Sequence, residues 1–193
     1  MATVCLLTHH NILASHLLPQ NDTWARIRRS PDFRREFGVS LFTRMFEFAP
    51  AVWGNFPWGR GVKEGESPMQ NKEFIPFAMR FVDMFDLAID MLGPDVDWVE
   101  EQLQHLGAKH TSYGLMPKHY TLMGRSLLDT LEEKLGHAFT ARHKESWHTI
   151  YTFMSVSMMQ GAFADLKDTV HQHETTINEM KRFDGRKGAS VDV

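Results

Sequence analysis

Apolar residues recur at every third or fourth position along most of the chain, a spacing typical of amphipathic α-helices. The clearest stripe contains Phe74, Phe77, Ala78, Phe81 and Phe85. No segment shows the sustained alternation of apolar and polar residues that a half-buried β-strand requires. The pattern therefore predicts an all-α fold. Similar stripes run through residues 42–49, 99–110, 120–135 and 147–158.

Helix-breaking residues separate the stripes. Gly93-Pro94 ends one predicted helix, and Asp97 followed by Glu100 predicts the N-terminus of the next. No internal repeat or domain linker interrupts the pattern, and periodicity is lost near the C-terminal end. We therefore expect an N-terminal extension over residues 1–20, one helical domain over residues 21–168 and a polar tail over residues 169–193.

Composition narrows the class of protein. The 193 residues are 42% hydrophobic and 23% charged, which is ordinary for a soluble globular domain. A formal net charge of −3 offers no electrostatic reason to bind nucleic acid or an anionic membrane. A single cysteine excludes an internal disulfide framework, and no apolar run reaches the ~18 residues of a membrane span. We expect a cytoplasmic protein without a membrane span or a nucleic-acid partner.

One histidine lies where a polar residue is unexpected. His110 continues the apolar stripe of Val99, Leu103 and Leu106, so the helical spacing directs it toward the core. An inward histidine is either a hydrogen-bonded core residue or a metal ligand, and periodicity alone leaves both alternatives open.

The sequence around His110 resembles the proximal histidine region of globins. The resemblance is carried by LGAKH at residues 106–110, YG at 113–114 and PKHY at 117–120. The sequence is similar to neuroglobin-type and flavohaemoglobin-type globin domains in particular. Upstream, Pro50 and Phe56 stand in the order and spacing seen around the short third globin helix. Downstream, Trp147 and Tyr151 resemble the Trp-x-x-x-Tyr of the last globin helix.

The resemblance implies a globin fold whose helices pack around a haem pocket, with haem b as the cofactor. By position it makes His110 the proximal ligand to the iron. It also makes Phe56 the residue that wedges against the haem ring. The other apolar residues that would wall the haem are Phe42, Phe77, Phe81, Leu106, Leu115, Tyr120 and Met123.

The distal side departs from the common globin pattern. Phe77 falls where many globins carry a histidine or glutamine, and Phe42 falls where some carry a tyrosine. Neither side chain can donate a hydrogen bond. No histidine occurs between Gln20 and Gln104 to replace them. The only plausible polar substitutes are Arg80, Gln70 and Asn71.

The resemblance implies reversible binding of a diatomic gas, namely oxygen, carbon monoxide or nitric oxide. Without a distal histidine we expect a five-coordinate iron, and less discrimination in favour of oxygen. Oxygen transport or storage is the default function for this fold. The alternatives are a gas or redox sensor, and a peroxidase or nitric oxide dioxygenase that needs a separate reductase. The sequence does not determine the oligomeric state.

Overall fold

A computed structural model describes residues 20–56, 58–60, 67, 70–93 and 95–164. No β-strand is present among these described residues, and the prediction of an all-α fold is confirmed. In the same ranges no helix is long and apolar enough to cross a membrane. Residues 1–19 and 165–193 lie outside the described ranges, so the terminal extensions and domain limits remain predictions. The helices are α1 (residues 20–27), α2 (Phe33–Phe48), α3 (Phe74–Met91), α4 (Val96–Ser112), α5 (Pro117–Leu135) and α6 (Ala141–Ala162), with 3-10 helices at Pro50–Asn55 and Gly136–Ala138.

Side-chain caps explain where two of these helices begin. The Asp95 carboxylate accepts a hydrogen bond from the backbone N–H of Trp98 at 3.0 Å, so α4 begins at Val96. The prediction that Asp97 marks this N-terminus was wrong, because Asp97 lies inside the first turn. At α6, Thr140 accepts from the backbone N–H of His143 and donates its own N–H to the His143 ring.

An aromatic cluster around Trp24 of α1 joins this helix to α2, α3 and α6. Trp24 packs edge-to-face against Phe37 of α2, Phe85 of α3 and Trp147 of α6, with ring centroids 5.1 to 5.6 Å apart. The Trp147 indole N–H also donates to the hydroxyl of Thr23 at 2.8 Å. These contacts fix α6 relative to the first three helices.

Glycines allow two pairs of helices to cross with their backbones almost in contact. A Cβ atom on Gly38 of α2 would lie 2.7 Å from the Ala78 carbonyl oxygen of α3. A Cβ on Gly107 of α4 would collide with the Met158 carbonyl of α6. Helix α4 therefore packs mainly on α6 and makes few contacts with α3, which leaves space between α3 and α4.

Candidate functional site

The space between α3 and α4 is an apolar cavity of about 280 Å³, closed by residues of α2, α5 and α6. Its size is close to the lower end of the range for small-molecule sites. The structure brings all the site residues predicted from the sequence together along this one cavity. They are His110, Phe42, Phe56, Phe77, Phe81, Leu106, Leu115, Tyr120 and Met123.

Four phenylalanines form one wall of the cavity, which we call the aromatic wall: Phe42, Phe56, Phe77 and Phe81. The ring of Phe42 contacts Phe77 at 5.0 Å and Phe81 at 5.1 Å between centroids, both edge-to-face. Phe56 packs against Phe77 at 5.0 Å. Because each ring is held by the others, the wall is preorganised, and no member has a hydrogen-bond donor.

The polar residues considered as substitutes for a distal donor are directed elsewhere. Asn71 donates its amide to the Trp58 carbonyl oxygen at 2.8 Å and accepts from the Glu73 N–H at 2.9 Å. Arg80 and Gln70 are exposed. None of the three belongs to the described residues that line the cavity.

His110 lies in the last turn of α4, half-buried, and lines the cavity opposite α3. Its Nδ1 atom lies 3.3 Å from the phenolic oxygen of Tyr120. Burial lowers the pKa of His110, because a charged imidazolium is poorly solvated there. No described residue hydrogen-bonds Nε2. A neutral imidazole with one nitrogen held and the other free is suited to bind a metal.

Tyr120 is itself held in place by α6. The hydroxyl of Tyr151 donates to the Tyr120 carbonyl oxygen at 2.7 Å, and both tyrosines are buried. Burial raises the pKa of Tyr120 to about 12, so its phenol stays protonated at neutral pH. A chain of contacts therefore runs from α6 through α5 to the imidazole on α4.

Several lining residues were not found from the sequence. Met84, Leu87 and Trp98 line the cavity although 54%, 57% and 41% of their surfaces remain exposed. The spacing of Met84 from Phe81 on α3 could have identified it, since the two share a face. His119 also lines the cavity, and its Nδ1 accepts the Met116 N–H at 3.0 Å. His119 belongs to the PKHY segment at residues 117–120 but was not predicted from the sequence as a site residue.

The described fold is all-α, with an apolar cavity between its helices and the imidazole of His110 in the cavity lining. Comparison with known proteins specifies the class further. The family model for Globin matches residues 39–159. The chain therefore belongs to the globin family, whose members hold haem iron through a proximal histidine, and the resemblance inferred from the sequence is confirmed.

Individual relatives agree with this assignment. The chain is 29% identical to neuroglobin from Danio rerio over 140 residues, which is 72% of this chain and 86% of that protein. It is 31% identical to neuroglobin from Tetraodon nigroviridis over 124 residues, or 64% of this chain and 77% of the relative. Among solved structures, a hexacoordinated haem protein from an anhydrobiotic tardigrade matches with a TM-score of 0.66 and 18% identity. That match covers 77% of this chain and 94% of the tardigrade chain, and it shows the fold alone.

Proposed function

We propose that this globin holds haem b in the cavity between α3 and α4, with His110 as the iron ligand, and that it reversibly binds a diatomic gas. The observation that carries the proposal is the state of His110: neutral, half-buried, and free at Nε2. When bound, the haem would supply an iron that can bind a gas.

The residues of the cavity fit this cofactor. Its lining is dominated by phenylalanine, leucine and methionine, which suit a large flat apolar ring. With Nε2 directed to a metal, the proton of the neutral imidazole resides on Nδ1, which then donates to the Tyr120 oxygen. Tyr120 thereby orients the ring of His110, a role that a backbone carbonyl or carboxylate serves in other histidine sites.

The aromatic wall supports an open, apolar distal side. Its rings pack against one another and offer no hydrogen-bond donor or metal ligand. We therefore expect a five-coordinate ferrous form. A hydrogen bond to a charged partner contributes about 1.5–3 kcal/mol, so the lack of a donor weakens oxygen binding by about one to two powers of ten. Carbon monoxide and nitric oxide depend less on such a donor.

The aromatic wall also affects the two alternative functions, a gas sensor and a haem enzyme. A sensor of carbon monoxide or nitric oxide uses the same binding step, and the donor-free wall favours these gases over a dedicated oxygen store. A peroxidase or nitric oxide dioxygenase would require a separate reductase, and peroxide cleavage ordinarily uses an acid–base residue. The four phenylalanines offer none. Oxygen transport and a cytoplasmic location remain predictions from the sequence.

Absorption spectra of the purified protein test the proposal in the ferric state, after reduction, and after reduction under carbon monoxide. We expect a Soret band, a broad five-coordinate ferrous spectrum and a sharp shift with carbon monoxide. Sharp, split visible bands in the reduced protein would show an internal sixth ligand and contradict the open distal side. Failure to take up added hemin would reduce His110 to a buried core histidine.

A further inference from the structure

A second cavity, of about 330 Å³, shares no described lining residue with the first. It is formed where the end of α1, the start of α2 and the end of α5 meet. Its surface is partly apolar and partly charged. The apolar residues are Ile27, Phe33, Phe37, Leu135 and Ala138.

One arginine at this cavity differs from its neighbours. Arg29 belongs to a cluster of five arginines between residues 26 and 35. Within the described chain its side chain makes no ion pair or hydrogen bond, although it lines the second cavity. The other four are paired with carboxylates, as Arg26 with Asp22 at 3.3 Å, Arg28 with Asp86 at 2.5 Å, Arg34 with Asp83 at 2.6 Å and Arg35 with Asp32 at 3.8 Å.

The other charged side chains at the cavity have partners. Arg26 is paired with Asp22, and Lys134 and Glu36 are the remaining charged residues among the described lining besides Arg29. Glu36 accepts a hydrogen bond from the Ser30 hydroxyl at 2.9 Å. Glu133 lies 3.5 Å from Lys134 but also accepts from Arg44, so it neutralises Lys134 only in part. The guanidinium of Arg29 is thus the positive charge at this cavity to which no described carboxylate is paired.

We propose that the second cavity binds a small organic anion, with a carboxylate at Arg29 and an apolar body against Ile27, Phe33 and Leu135. A guanidinium without a partner can bind a carboxylate through two parallel hydrogen bonds. The apolar surface beside it favours an aliphatic or aryl body over an inorganic ion. The ligand class is therefore an amphiphilic monocarboxylate.

The test is a titration of hemin-treated, full-length protein with octanoate, followed by the methyl NMR signals of Ile27 and Leu135. Hemin is added so that the first cavity is filled. We expect saturable shifts at these two methyl groups, and weaker shifts with 1-octanol, which has the same chain without the charge. Arg29→Gln should weaken octanoate binding about tenfold or more.

Arg35→Gln is the matched control, because it removes an exposed arginine that does not line the cavity. It should leave octanoate affinity unchanged. Equal weakening by both substitutions would show that net charge alone attracts the anion and would overturn the proposal. So would octanoate shifts confined to the methyl groups of Met84 and Leu87, which belong to the first cavity.

Discussion

The Nδ1 atom of His110, near the end of α4, lies 3.3 Å from the phenolic oxygen of Tyr120, in the first turn of α5. The two residues are ten positions apart, and the turn between the helices brings their rings to a centroid distance of 6.1 Å. Because Tyr151 of α6 holds the Tyr120 carbonyl, the position of the imidazole depends on three helices.

Tyr120→Phe is expected to leave haem bound but to shift the iron–histidine stretching band in the resonance Raman spectrum of the reduced protein. The loss of the hydroxyl frees the imidazole to rotate, and it should lower the free energy of unfolding by about 0.5–1.5 kcal/mol. Tyr113→Phe is the control, since Tyr113 is 46% exposed and its ring lies 6.5 Å from that of His110. A shift of equal size in the control would contradict the role given to Tyr120.

Removal of His110, the proposed iron ligand, should abolish haem retention. His110→Ala should elute from a desalting column without a Soret band, and added imidazole should restore one by occupying the vacated position. His105→Ala changes an exposed histidine of the same helix and should retain haem as the wild type does. If His110→Ala kept its haem with unchanged spectra, another residue would be the ligand.

Phe77→His should introduce a hydrogen-bond donor on the distal side. Oxygen release should slow by about ten- to a hundredfold, because the donor stabilises the oxygenated form by about 1.5–3 kcal/mol. Stopped-flow displacement of oxygen by carbon monoxide measures this rate. Arg80→His, at an exposed position of the same helix, should not change it. An unchanged rate in Phe77→His would place the distal position elsewhere.

Gly107→Ala should destabilise the fold at the crossing of α4 and α6. The new methyl group collides with the Met158 carbonyl, and neither backbone can yield without moving the helix that carries His110. We expect the free energy of unfolding to fall by about 1–3 kcal/mol, as measured by denaturant titration. Gly54→Ala is the control, since no atom lies within 4 Å of its added Cβ. Comparable losses in the two variants would rule out the close crossing as the cause.

The stability of the haem-free protein should decrease as the solution becomes more acidic below pH ~6.5. Burial, together with the charge of Lys118, lowers the pKa of His119, so between that lowered value and 6.5 the unfolded chain binds more protons. Protonation of Nδ1 would also break the hydrogen bond from Met116. His119→Asn should remove part of this pH dependence in denaturant titrations. Identical pH profiles for wild type and His119→Asn would contradict the effect.

Much of the fold follows from local sequence patterns. The three-and-four spacing marks the buried face of each helix, because burial of apolar surface requires these residues on one side. For the same reason this spacing placed His110 on the inner face of α4. The prediction of where α4 begins was less accurate. The sequence indicated Asp97, but Asp95 caps the helix, because the cap is the carboxylate that reaches a free backbone N–H.

The sequence by itself determined that the chain is helical and that His110 points inward, and it predicted that aromatic residues replace the usual distal donors. Only the tertiary structure decided that Tyr120 contacts His110 and that α4 rests on α6 through Gly107. It also decided that, of the five clustered arginines, Arg29 alone has no partner among the described residues. The physical reason is that sequence periodicity is local, whereas side-chain partners depend on contacts between distant parts of the chain. Periodicity reports which face of a helix is buried, whereas the partner of a side chain depends on helix crossings between residues far apart in the chain.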